Sequence, residues 1–76
     1  MSTEIRIPGL SAGMSEGTLV EWHVADGGEV KAGDLLYTVE SEKTAQEIEA
    51  PISGVLRRVG QEGEAYPVGE LIGTIE

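Results

Sequence analysis

Apolar and polar residues alternate in short bursts along this chain, and glycines cut the bursts apart every few residues. Alternation over a handful of residues marks a half-buried β-strand. Glu4–Pro8 sets Ile5 and Ile7 on one face and Glu4 and Arg6 on the other. Gly17–Val24 places Val20, Trp22 and Val24 opposite Leu19, Glu21 and His23. Glu29–Lys31 is a very short strand. Asp34–Glu40 is apolar at Leu35, Leu36, Tyr37 and Val39, the pattern of a strand covered on both sides. Thr44–Ala50 sets Ile48 and Ala50 against Glu47 and Glu49. Gly54–Val59, a short piece at Tyr66–Val68, and Leu71–Ile75 bring the total to about eight strands. The longest stretch free of Gly and Pro, Asp34–Ala50, has no sustained i, i+3, i+4 apolar stripe, so no helix is predicted.

The pattern is written twice. Asp26-Gly27 returns as Glu62-Gly63, Gly33-Asp34-Leu35-Leu36 as Gly69-Glu70-Leu71-Ile72, and Thr38-Val39-Glu40 as Thr74-Ile75-Glu76, always 36 residues on. Earlier, Gly17-Thr18-Leu19 matches Gly54-Val55-Leu56 at 37, so the first half holds one inserted residue. Ile5-Arg6-Ile7-Pro8 corresponds to Ile48-Glu49-Ala50-Pro51. Two similar halves of four strands imply an all-β fold. The expected form is a flattened barrel or sandwich of two four-stranded antiparallel sheets with pseudo-two-fold symmetry. Residues 1–76 form one domain on this reading. Gly9–Glu16 has no counterpart in the second half, and Glu40–Thr44 joins the halves. The termini are expected at the symmetry-related place, at the opposite end.

Composition narrows the function. A chain of 76 residues buries only about 60% of its unfolded surface, which leaves no room for a deep active-site cleft. Val, Ile and Leu number 19 and Phe is absent, so the core is aliphatic. With no Cys, a disulfide framework, a thiolate zinc site and a thiol nucleophile are excluded. Five basic residues against fourteen acidic ones leave a charge of −9, which repels phosphate backbones and anionic membranes. No apolar run approaches the ~20 residues of a membrane span. The N-terminus has neither a secretory signal nor a transit pattern. A chain starting at Met1 is expected to stay where it is made, in the cytoplasm of a bacterium. The mitochondrial matrix is the alternative if a presequence is missing from this chain.

Few side chains offer chemistry. The only lysines are Lys31 and Lys43. Lys43 stands among Glu40, Glu42, Glu47 and Glu49, in the polar stretch Ser41-Glu42-Lys43-Thr44 between two apolar strands. An antiparallel hairpin there puts it at the tip, where it is either a plain solvated lysine or a presented amine. Gly9, Gly13 and Gly17 recur every four residues, but no Gly-Lys-Ser/Thr follows, so they do not form a phosphate loop. His23 is the single histidine and lacks companion ligands for a metal. Glu21, Glu40, Glu42, Glu47 and Glu49 read as a solvated acidic face rather than catalytic pairs. Trp22 reads as core. Gly27, Gly33, Gly63 and Gly69 read as turn residues with positive φ. Arg57-Arg58 is a small basic spot without an assigned purpose. No catalytic residue is identified.

Several stretches, in order and correctly spaced, resemble a known family over Ile5–Glu76. They are Met14-Ser15-Glu16-Gly17-Thr18-Leu19-Val20-Glu21-Trp22, then Gly27 with Val30-Lys31-Ala32-Gly33-Asp34-Leu35-Leu36. Glu40-Ser41-Glu42-Lys43-Thr44-Ala45, Glu47-Ile48-Glu49-Ala50-Pro51 and Ser53-Gly54-Val55-Leu56 follow. The chain is similar to a lipoyl domain of a 2-oxo acid dehydrogenase acyltransferase, in the biotinyl/lipoyl attachment family. The resemblance implies that Lys43 carries lipoate in amide linkage on a swinging arm, with Glu42 and Thr44 as flanks read by a lipoate ligase or lipoyl transferase. It implies reductive acylation by a thiamine-diphosphate-dependent 2-oxo acid decarboxylase, delivery of the acyl group to coenzyme A in the acyltransferase core, and reoxidation by dihydrolipoamide dehydrogenase. Gly9–Glu16 is then either a connector or a partner-recognition loop through Leu10, Ser11, Ala12 and Met14. The domain itself is expected to be monomeric and not catalytic alone. Glu42 and Thr44 stand where the family usually has Asp and Ala. Biotinyl domains share the fold but usually flank the lysine with Met on both sides. A biotin carrier, or an unmodified binding module of the same shape, is the alternative.

Overall fold

The computed structural model describes residues 2–9, 13–41 and 44–76. Their strands are β1 (Thr3–Arg6), β2 (Glu16–Trp22), β3 (Glu29–Val30), β4 (Leu35–Glu40), β5 (Ala45–Glu49), β6 (Gly54–Arg58), β7 (Glu64–Pro67) and β8 (Leu71–Ile75). All the predicted strands are present, with ends shifted by a residue or two. They form two four-stranded antiparallel sheets, ordered β1-β8-β6-β3 and β5-β4-β2-β7. Advancing each strand number cyclically by four converts the first order into the second. The sequence repeat is therefore a pseudo-two-fold that exchanges the sheets.

The symmetry reaches single bonds. Thr3 pairs with Ile75 as Gln46 pairs with Val39, and Glu4 pairs with Thr74 as Glu47 pairs with Thr38. The Gly27 N–H donates to the Leu56 carbonyl at 2.7 Å, and the Gly63 N–H to the Leu19 carbonyl at 2.7 Å. The Trp22 N–H donates to Glu62 Oε2 at 2.9 Å, and the Arg58 N–H to Asp26 Oδ1 at 2.8 Å. Each half thus supplies a carboxylate that satisfies an amide of the other, a charge-assisted bond stronger than a neutral one. The turns repeat as well: Gly27, Gly33, Gly63 and Gly69 have φ of 82°, 92°, 84° and 91°, as predicted.

Two face assignments need correction. Val20 is not on the core face with Trp22: it is 42% exposed, while Leu19 and Trp22 are both buried. The β2–β4 ladder runs Leu19↔Val39 and then Glu21↔Thr38, so Val20 is the extra residue of a β-bulge. In the symmetry-related ladder, Leu56↔Ile75 is followed at once by Arg57↔Thr74. Val20 is therefore the insertion that changes the repeat offset from 37 to 36. Likewise, Leu35 is exposed, and β4 is not covered on both sides. A register shift between Leu35 and Tyr37 turns Leu36 and Tyr37 inward together. The matching shift in the β1–β8 ladder separates Leu71 from Gly73 and leaves Ile72 fully buried.

The core lies between the sheets and follows the repeat: Leu19 with Leu56, Leu36 with Ile72, and Val39 with Ile75. Its large departures from symmetry are Trp22, opposite Arg58 in the repeat, and Tyr37, opposite Gly73; the two rings pack with centroids 5.4 Å apart. Glycines opposite make room. A Cβ at Gly73 would stand 3.2 Å from Trp22 Cη2, and the Gly60 carbonyl accepts the indole N–H at 3.0 Å. Arg58 covers the ring from outside, 5.7 Å from its centroid, with Glu62 at 3.7 Å from the guanidinium. Arg57 pairs with Glu76 at 3.3 Å. The basic spot is thus absorbed into the fold.

Candidate functional site

The candidate site is the end of the sandwich where β4 turns into β5. The last ladder pair is Glu40↔Ala45. Beyond it the Ser41 N–H donates to the Thr44 carbonyl at 2.7 Å, and the Ser41 hydroxyl donates to the same oxygen at 3.4 Å. The connection between Ser41 and Thr44 consists of Glu42 and Lys43, which lie outside the described residues. Thr44 is exposed and Ser41 is half-buried. Glu40, Glu47, Glu49 and Glu21 are all exposed, as expected for a solvated acidic face.

Met14, from the unmatched segment, lies beside β2 near this end. Gly17 leaves a notch in β2: a Cβ there would meet Met14 Cε at 2.8 Å, Val39 Cγ2 at 3.0 Å and Ile7 Cγ2 at 3.3 Å. Met14 is half-buried in that notch and packs against the core. The Ser15 carbonyl accepts the Val68 N–H at 3.0 Å. The predicted recognition residues Leu10, Ser11 and Ala12 lie outside the described residues. Ser41 and Gly17 were not singled out for this end in the sequence. Gly17 had a signal in its match to Gly54, whose own notch is filled by the Glu76 carbonyl and Ile75.

Away from the turn, His23 Nε2 lies 2.7 Å from Thr38 Oγ1, and its Nδ1 lies 3.7 Å from Glu21. A cleft of about 200 Å³ lies along the edge strands β1 and β5, with Ile5, Tyr37, Ile48 and Pro51 in its walls. Burial pushes the Tyr37 phenol up to about 12. Its hydroxyl donates to the Arg6 carbonyl at 3.4 Å.

The sequence profile of the family described as biotin-requiring enzymes matches residues 3–75. The chain is 39% identical, over 99% of its length, to the dihydrolipoyllysine-residue acetyltransferase component of the pyruvate dehydrogenase complex of Zymomonas mobilis subsp. mobilis. It is 41% identical, over 95% of its length, to the dihydrolipoyllysine-residue succinyltransferase component of the 2-oxoglutarate dehydrogenase complex of Bacillus subtilis. It spans 18% of the length of each of these proteins. Its fold matches the solution structure of the lipoyl domain of the 2-oxoglutarate dehydrogenase complex from Azotobacter vinelandii. That match has a TM-score of 0.82 and 31% identity, covering 96% of this chain and 94% of the other.

Proposed function

The chain belongs to the biotinyl/lipoyl attachment family as a lipoyl domain, and from that premise we propose that Lys43 is the residue that takes lipoate in amide linkage. The domain then serves as an acyl carrier within a 2-oxo acid dehydrogenase complex. A lipoate ligase or lipoyl transferase modifies Lys43. A thiamine-diphosphate-dependent decarboxylase loads the domain, the acyltransferase core unloads it to coenzyme A, and dihydrolipoamide dehydrogenase resets it. The relatives whose names specify a dihydrolipoyllysine residue support this reading. The observation that carries it is the tied connection between β4 and β5, with Lys43 in its sequence.

The described residues fit such a group. Ser41 and Thr44 close the connection without help from the core, so an acceptor between them need not be buried. The other lysine, Lys31, opens a β-turn instead. Its carbonyl accepts the Asp34 N–H at 2.9 Å, and its own N–H donates to Asp34 Oδ2 at 3.0 Å. When attached, the dithiolane supplies a sulfur for acyl groups and a disulfide–dithiol pair for electrons. The chain's part is to hold the lysine where several large enzymes can reach it, and the tether raises effective concentration at each.

Co-expression with a lipoate ligase is expected to raise the intact mass by one lipoyl group. Lys43→Arg is expected to keep the fold and abolish the increase. Modification by a biotin ligase alone would favour the biotin reading, and continued lipoylation of the Lys43→Arg variant would move the site. Reductive acylation of the modified domain by a panel of 2-oxo acid decarboxylases then identifies the substrate.

A further inference from the structure

We propose that Ser41 is a positioning residue for the modification of Lys43, acting through its hydroxyl. This rests on the reading of Lys43 as the lipoate acceptor. The β4–β5 ladder ends at Glu40↔Ala45, and one carbonyl, that of Thr44, holds the chain together beyond it. Ser41 reaches that oxygen twice, with its amide at 2.7 Å and its hydroxyl at 3.4 Å. Any residue other than proline supplies the amide. The hydroxyl is what serine adds, and Ser41 is half-buried between the exposed residues Glu40 and Thr44. A second donor on one acceptor restrains the Ser41 χ1 and the Thr44 carbonyl together. A modifying enzyme must find a short connection in one conformation, so loss of that restraint falls on recognition before it falls on the fold.

The test measures kcat/KM for lipoylation of the purified, unmodified domain by a lipoate ligase, alongside the thermal midpoint. Ser41→Ala and Ser41→Val are expected to lower kcat/KM about three- to tenfold, the effect of one modest hydrogen bond. The midpoint should fall by no more than a few degrees, too little to unfold the domain in the assay. Ser41→Thr, which has the shape of Val and keeps the hydroxyl, is expected to restore the wild-type value. Wild-type rates for the Ala and Val variants overturn the proposal. So does a loss in all three variants that tracks a fall in midpoint, which would assign Ser41 to stability alone. A wild-type domain that no lipoate ligase modifies overturns the lipoyl reading itself, a result distinct from either of these.

Discussion

Gly17 and Tyr37 show how closely single residues are fitted. At Gly17 the space for a Cβ is already taken by Met14, Val39 and Ile7. Gly17→Ala is expected to destabilise by about 1–3 kcal/mol, the usual cost of overpacking, read from the midpoint of urea unfolding. Introduced into a Met14→Ala background, Gly17→Ala should cost less than it does in the wild type, because the nearest atom belongs to Met14. Tyr37 ionises at about 12 in the folded protein, against 10.0 when exposed, because burial disfavours the phenolate. Between those pH values the unfolded chain has released a proton that the folded chain still holds. Stability should therefore fall as pH rises through that window, by up to about 3 kcal/mol, and Tyr37→Phe should flatten the fall. The sequence marked Gly17 as a repeated glycine but could not show what crowds it, because its neighbours come from three separate segments.

At the level of the strand, alternation, one apolar run and the glycines between them were enough to find the described strands, and irregularity decided which residues face inward. Alternation assumes one residue per pleat, and Val20 and Leu36 each break that rule by one. The change of repeat offset already located an insertion near Val20, and a bulge is what a single insertion becomes inside a ladder. The bulge at Leu36 left no such trace, because Ile72 repeats it in the other half. Deleting Val20 should give β2 the plain register of β6, with Leu19 and Trp22 still inward. That variant is expected to fold, within about 1–2 kcal/mol of wild type by urea titration followed through Trp22 fluorescence. Deleting Arg57 from the unbulged β6 shifts the strand beyond it by one place and is expected to abolish the cooperative transition.

For the whole molecule, the pseudo-two-fold sets β8 beside β1 as it sets β4 beside β5. A chain whose original ends are joined by a four-residue turn, and which is opened between Glu42 and Lys43, is expected to keep the far-ultraviolet dichroism of the wild type. It should unfold in one transition, because each ladder is retained and loop closure depends only weakly on where the chain is cut. Most of the architecture was legible in the repeat, down to the number of sheets. The proposed acceptor, Lys43, came from its neighbours in sequence, while the closure by Ser41 and Thr44 did not, because a hydroxyl aimed at a carbonyl three residues away leaves no mark on a hydropathy pattern. That closure also separates two kinds of selection. Since Leu19, Leu56, Leu36 and Ile72 pack the two sheets together by themselves, the Glu42-Lys43 connection is free to diversify. A chain with other residues in place of Glu42 and Lys43 is therefore expected to keep the same fold, so a new role there needs no new architecture.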